Sequence, residues 1–250
     1  MRGAVVYFSG TGNTEYVAKL FQNELNNRGY EITLIDVSKT IDFRDDYSFF
    51  VFGSCIHAEM FPIVFMDWVK KNIKQGNNRK CIVFSTQAAN TAAGANVFAD
   101  ELKDKGFDIR AVEHITMPNN YYLVGFGKDS QEKKDILKQQ AKQIVKKVAD
   151  DFVEGKMSIK TSTKFRNTFG KMAYFMFLKY SKTWAKKKIS VDTKLCIKCM
   201  KCIKDCPTEN IYFEDEIKFK DKCISCQRCL HSCPVNAFKY KGKHFEKYTI

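Results

Sequence analysis

Eight cysteines packed between positions 196 and 233 constrain this chain more than any other feature. Cys196-x2-Cys199-x2-Cys202-x3-Cys206-Pro207 is followed by Cys223-x2-Cys226-x2-Cys229-x3-Cys233-Pro234, with 16 residues between Cys206 and Cys223. Three thiolates at this spacing wrap an iron–sulfur cubane from one tight loop. The fourth points away, so each run lends it to the other cluster. Structural zinc needs four ligands, usually as two separated C-x2-C pairs, and has no use for a third cysteine or a Cys-Pro ending. The remaining alternative is disulfides. Met1–Phe8 holds only about five apolar residues ahead of Ser9, too few for a secretory leader, so a cytoplasmic location is expected and disulfides are not.

Charge divides the chain in the same way as cysteine. The 250 residues carry 42 Lys+Arg against 28 Asp+Glu, a formal net charge of +14. Residues 1–154 hold 20 basic and 20 acidic side chains; 155–190 hold 10 basic and none acidic; 191–250 hold 12 and 8. The expected units are therefore a domain at 1–153, a basic connector at 154–190 and a cysteine-rich module at 191–250. Charge concentrated in one connector, with no recognised nucleic-acid-binding fold, argues against nucleic acid as a partner. No apolar run approaches the roughly 20 residues of a membrane-spanning helix.

In the first unit, short apolar runs at 4–8, 32–35, 49–52 and 81–84, and a weaker one at 107–116, alternate with helical patterns at 15–28, 63–73, 95–105 and 131–152. That alternation predicts βαβ units and a parallel sheet covered on both faces. Between the first run and the first helix lies Ser9-Gly10-Thr11-Gly12-Asn13-Thr14. Its backbone N–H groups face the helix N-terminus, where the helix dipole attracts an anion. The glycines allow close backbone approach, and three hydroxyls add neutral donors. The loop has no Lys and fits neither G-x-x-x-x-G-K-[ST] nor G-x-G-x-x-G, so a single phosphomonoester suits it better than a nucleoside triphosphate or a dinucleotide.

With this loop, the first 153 residues resemble the flavodoxins, whose phosphate loop reads [ST]-x-T-G-x-T. The resemblance implies FMN held by Ser9, Gly10, Thr11, Gly12, Asn13 and Thr14, and a doubly wound, five-stranded parallel sheet of order 2-1-3-4-5. The flavin ring would then be flanked by Ser54, Cys55, Ile56 and His57 in the loop 53–62, and by Thr86, Gln87 and Ala88 in the segment 85–94. His57 stands where flavodoxins often place a tyrosine, and residues 85–97 contain no aromatic. Tyr121 and Tyr122 are candidates to make up the difference. Cys55 and Cys81 read as small buried hydrophobes.

Residues 190–240 resemble bacterial two-cluster ferredoxins, a small α+β module. That resemblance assigns Cys196, Cys199, Cys202 and Cys233 to one [4Fe–4S] cluster and Cys206, Cys223, Cys226 and Cys229 to a second. It also makes Tyr212, Phe213, Phe238 and Tyr240 candidates for shielding the clusters. The connector reads as a helix over 165–184 whose stripe of Phe165, Phe169, Met172, Phe175/Met176 and Lys179 is expected to pack on a domain while its lysines stay in water. Docking of an acidic redox partner is the second reading of this helix, and lying on an anionic membrane surface is the third. Membrane association is not expected, and oligomeric state is left open.

The resulting expectation is an electron carrier relaying between two clusters and FMN and exchanging electrons with other redox proteins. No nicotinamide fingerprint is visible. The alternative is an FMN-dependent reductase of a bound quinone or tetrapyrrole, for which only His57 and Glu59 offer acid/base groups. A degenerate flavodoxin domain that only docks the ferredoxin is a third reading, which the intact 9–14 loop opposes.

Overall fold

A computed structural model describes residues 1–89, 92–125 and 127–250. Five strands alternate with helices in the first part: β1 (Arg2–Phe8), α1 (Asn13–Asn26), β2 (Glu31–Asp36), β3 (Phe49–Cys55), α2 (Ile63–Asn72), β4 (Lys80–Gln87), α3 (Gly94–Asp104), β5 (Asp108–Thr116) and α4 (Gln131–Val153). The strands are parallel, with Val5 facing Leu34 on one side and Val51 on the other, and Phe52 facing Val83. Because successive side chains point to opposite faces, the apolar runs feed two cores. Val6, Phe8, Phe50, Phe52 and Val83 enter one under α2 and α3, while Val5, Tyr7, Phe49, Val51 and Phe84 enter the other under α1 and α4.

The sheet has one strand more than expected. β6 (Ser158–Ile159) comes from the basic connector and pairs parallel to β5, giving the order β2-β1-β3-β4-β5-β6. Two residues are too few for a hydrophobic pattern to register in the sequence. They nevertheless tie the start of the connector to the sheet edge.

The connector continues as α5 (Lys164–Lys182) and the short α6 (Trp184–Lys188). The expected packing of its large apolar stripe is not what forms. Phe165, Phe169, Met172, Phe175 and Met176 are all exposed, and Lys179 lies among them. The buried positions are Gly170 and Ser181, with half-buried Ala173, Tyr174 and Phe177 on the same side. Close approach explains the choice. A Cβ on Gly170 would lie 3.2 Å from Glu59 Cβ and 3.5 Å from Ala93 Cβ, so the small-residue face lets the helix sit against the loops above β3 and β4.

The C-terminal part is built as a repeat. β7 (Ile189–Val191) pairs antiparallel with β10 (Phe238–Tyr240), and β8 (Ile211–Glu214) with β9 (Glu216–Phe219). The short helices α7 (Lys201–Lys204) and α8 (Arg228–Ser232) each follow a cysteine loop. Non-glycine residues in the left-handed region recur 27 positions apart: Lys198 and Ser225, Met200 and Gln227, Glu209 and Asn236. Such conformations persist only where surrounding structure enforces them. The same offset aligns Ile211 with Phe238, and these two residues fill the module's core alongside Trp184, Leu230 and half-buried Tyr240. Of the four expected shields, Phe238 and Tyr240 join this core. Phe213 instead stands exposed with the Lys198 ammonium over its ring, and Tyr212 lies outside the core cluster beside Lys220. Of the four residues of β8 only the first, Ile211, is buried, and the strand runs outward from there past Phe213 to its end at Glu214.

Candidate functional site

The loop after β1 is drawn tight around its own glycines. Gly12 takes φ 108°, a left-handed value, and its N–H donates to Ser9 Oγ at 3.1 Å. Among the described residues no side chain caps α1, which leaves its first N–H groups open to a ligand. Thr14 is buried and hydrogen-bonded to Thr86 across 2.7 Å, tying the loop between β1 and α1 to the end of β4. Asn13 donates to the Pro118 carbonyl at 2.9 Å, and Asn120 donates to Thr11 Oγ1. The segment following β5 is thereby fastened to the same loop.

A cavity of about 320 Å³ opens beside it, a size in the range of ordinary cofactor sites. Its walls include Ser9, Gly10, Thr11, Asn13 and Thr14, then Cys55, Ile56 and His57, then Thr86, Gln87 and Ala88. The three candidate segments thus meet at one cavity above the carboxyl ends of β1, β3 and β4. Two candidates stand apart from it. Ser54 is fully buried within β3 with an unpartnered Oγ, and Gly12 lines a neighbouring crevice. Asn90 and Thr91, in the expected loop after β4, lie outside the described residues.

Tyr121 lines the cavity, while Tyr122 donates from its hydroxyl to the Glu246 carbonyl away from it. His57 is held by reciprocal backbone bonds with Met60, and burial lowers its pKa to about 4, so the imidazole is neutral. Its ring meets Phe177 of α5 edge-on at 5.8 Å. Ala58 and Glu59 both have positive φ, a strained pair. The Glu59 carboxylate receives two bonds from Arg166 of α5, at 2.8 and 2.9 Å, and does not line the cavity.

The polar groups left over fit a flavin. Among the described residues, the buried His57 Nδ1, Gln87 Nε2 and Gln227 Nε2 have no hydrogen-bond partner, and all three residues line the cavity. Unpaired buried donors and acceptors are costly; a ring edged with carbonyls and nitrogens would satisfy them. A loop with free N–H groups and hydroxyls suits a phosphate monoester.

Seven wall residues had no counterpart among the expected cavity segments: Pro118, Asn119 and Asn120 beside Tyr121, Phe177 from α5, and Ser225, Cys226 and Gln227 from the cysteine module. Tyr121 Oη and Ser225 Oγ are hydrogen-bonded at 2.5 Å. A Cβ on Gly10 would stand 2.6 Å from the Cys226 carbonyl oxygen, so only glycine lets the two loops touch. The glycine was the one available signal, since it marks a close approach without saying to what. Cys55 sits at the same junction, its thiol pushed up to about 12 by burial and by nearby Cys226. Cys81, by contrast, lies wholly in the core.

The eight cysteines fall into two neighbourhoods. The Cys202 thiol is raised to about 11 by burial and by Cys196, Cys199 and Cys233 around it. Burial raises Cys223 to about 12, with Cys226 and Cys206 adding to the effect, and burial likewise raises Cys229, with Cys226, Cys223 and Cys206 around it and Cys202 of the other set also in reach. Cys206 Sγ accepts from Asn210 N–H at 3.2 Å and Cys233 Sγ from Ala237 N–H at 3.4 Å, again 27 residues apart. Backbone donors aimed at sulfur are what a clustered thiolate set uses. Among the described residues, no three His, Cys, Asp or Glu side chains converge on a single-ion site; a cubane holds its thiolates farther apart than one ion does.

Family models match both parts of the chain. Residues 4–155 match the family model described as a flavodoxin domain, and residues 195–237 match a 4Fe-4S dicluster domain. No curated protein matches the chain. Similar solved structures include a flavodoxin from the domain Archaea, at 17% identity and TM-score 0.42, covering 59% of this chain and 99% of that one. Oxidised Flavodoxin 2 from Bacillus cereus aligns at 16% identity and TM-score 0.45, covering 60% and 99%. Rubredoxin oxygen:oxidoreductase from Desulfovibrio gigas aligns at 16% identity and TM-score 0.43, covering 60% of this chain and 37% of that protein. The chain belongs to the flavodoxin family, carries a 4Fe–4S dicluster domain after its flavodoxin domain, and has an electron-transfer role.

Proposed function

We propose that the chain holds one FMN and two [4Fe–4S] clusters and relays electrons between them. A 4Fe–4S cluster supplies one-electron chemistry, and a flavin both one- and two-electron chemistry. The observation that carries the reading is the contact of Gly10 with Cys226, which makes a cluster-ligand loop part of the cavity wall.

Each residue then has a definite task. Ser9, Thr11, Thr14 and the free N–H groups of α1 bind the phosphate. Cys55, Ile56 and His57, with Thr86, Gln87 and Ala88, enclose the ring, and Gln227 brings an amide to it from the other module. Cys206, Cys223, Cys226 and Cys229 hold the cluster next to the cavity; Cys196, Cys199, Cys202 and Cys233 hold the one beyond. Cys199 is exposed, so the outer set is the port for a partner protein. Reduction of a bound quinone or tetrapyrrole is the second reading, supported by neutral His57 with its free Nδ1 at the cavity wall.

Anaerobic purification with flavin and iron quantified tests the relay. About one FMN and about eight irons per chain are expected, with both bleached by a single low-potential donor. Iron without flavin would end the relay reading. Multiple turnovers on an added quinone with a fixed donor would move the assignment to the reductase.

A further inference from the structure

Helix α5 has two faces, and the fold uses one. Gly170, Tyr174, Phe177 and Ser181 turn inward. On the other side Phe165, Phe169, Met172 and Met176, spaced i, i+4, i+7 and i+11, form one row with Phe175 beside it. Phe165 is 83% exposed and Met176 66%. A row of large apolar side chains left in water marks an interaction site.

Its occupant can be read from the flanking charge. Residues 155–190 contain ten basic side chains and no acidic one. Lys164, Lys179 and Lys182 of the helix are exposed, and the Lys179 ammonium lies 4.5 Å from the Phe175 ring centroid, beside the apolar row. A second copy of the chain would bring like charge against like. Protein interfaces enrich Arg and deplete Lys, whereas the one arginine on α5, Arg166, is already engaged by Glu59. Phe and Met flanked by lysines suit a lipid surface, where the apolar row sinks to the acyl boundary and the ammoniums reach anionic headgroups.

We propose that the outer face of α5 docks in plane on the surface of an anionic lipid bilayer. The contact is peripheral, since among the described residues no helix is long and apolar enough to cross a membrane. It differs from the expectation drawn from the sequence because the apolar stripe faces water instead of the protein. The inward face of the same helix lines the cavity through Phe177, so docking would set that wall beside the bilayer.

The test is co-sedimentation of the anaerobically purified holoprotein with vesicles of phosphatidylcholine alone and of phosphatidylcholine mixed with phosphatidylglycerol. Binding to the mixed vesicles only, weakening as salt rises, is expected. Lys179→Glu with Lys182→Glu should reduce binding about tenfold or more, and Phe169→Ser with Met176→Ser by a similar factor. Both pairs are exposed, so circular dichroism and iron content should stay unchanged. Absence of binding to the mixed vesicles would overturn the proposal, as would equal binding to neutral ones or indifference to both double variants. Retention on immobilised polyglutamate without vesicle binding would assign the face to an acidic protein and overturn it equally.

Discussion

The guanidinium of Arg228 donates to the carbonyl oxygen of Ser9 at 2.6 Å, joining the helix after one cysteine loop to the first residue of the phosphate loop. Arg228 also donates to Ser38 Oγ at 2.8 Å and the Asp205 carbonyl at 3.2 Å, and stacks over Phe8 at 5.2 Å. It is buried, and these hydrogen-bond partners are neutral oxygens. The positive charge is then answered by the anionic groups proposed on either side of it, a thiolate-ligated cluster and a phosphate. Arg228→Met should destabilise the protein by about 2 kcal/mol through lost charged hydrogen bonds. It should also lower the potential of the nearer cluster, because a cation favours the reduced form. Arg228→Lys should restore most of the potential but not the stability. A redox titration followed by electron paramagnetic resonance, with thermal unfolding, separates the two.

Gly10 and Gly12 need glycine for different reasons, and their alanine variants should differ accordingly. Gly12→Ala strains a left-handed residue but meets only Ile250 Cγ2 at 3.4 Å, costing about 1–2 kcal/mol. Gly10→Ala drives a methyl into the Cys226 carbonyl and must separate the modules. Slower flavin reduction after rapid reduction of the clusters is expected for Gly10→Ala alone, measured by stopped-flow absorbance.

Thr11→Leu should remove flavin and leave iron in place. Thr11 lines the cavity and, among the described residues, its hydroxyl is partnered only by Asn120, so a bulkier apolar side chain fills the proposed phosphate position and removes a donor. A fall of about tenfold or more in bound flavin at unchanged iron is the expected assay result. Equal loss of both would mean that the loop is structural.

Arg166 holds the strained turn at Ala58–Glu59 from outside. The ion pair is partly exposed, with side-chain exposures of 35% and 24%, so Arg166→Ala should cost under about 1 kcal/mol of global stability. Its larger effect should be on flavin affinity, since His57 lies next to the released turn. Fluorescence titration of flavin against denaturant unfolding distinguishes these.

His57 makes stability depend on pH in a definite direction. Its pKa in the fold is lowered to about 4 by burial from the usual value of 6.5. The unfolded chain therefore takes up a proton first as pH falls, and stability drops between about pH 6.5 and pH 4. At 1.36 kcal/mol per unit of pKa difference, this one residue accounts for at most about 3 kcal/mol. His57→Phe should flatten denaturant midpoints across that window; an unchanged slope would show that other groups carry it.

The parts legible in the sequence are those whose signal is local. Continuous apolar runs identified β1 to β5 and helical spacing identified α1 to α4, because burial on both faces demands an unbroken run and burial on one face demands a stripe. The cysteine runs were legible because three ligands to one cluster must come from one tight loop. β6 was not, because two residues carry no period. The stripe of α5 was legible but its direction was not: periodicity shows that a helix has an apolar face, not that a smaller face of Gly170 and Ser181 packs more closely.

By itself the sequence determined the flavodoxin and dicluster parts, the glycine-rich loop between β1 and α1, and the cysteine repeat. Only the tertiary structure decided that Cys226 and Gln227 close the cavity opened by Ser9 and Thr14, that Arg228 lies buried between them, and that Phe165 and Met176 face water. These are contacts between residues far apart in the chain, up to 219 positions for Arg228 and Ser9. No local pattern encodes them; they depend on which surfaces fit once each module has folded.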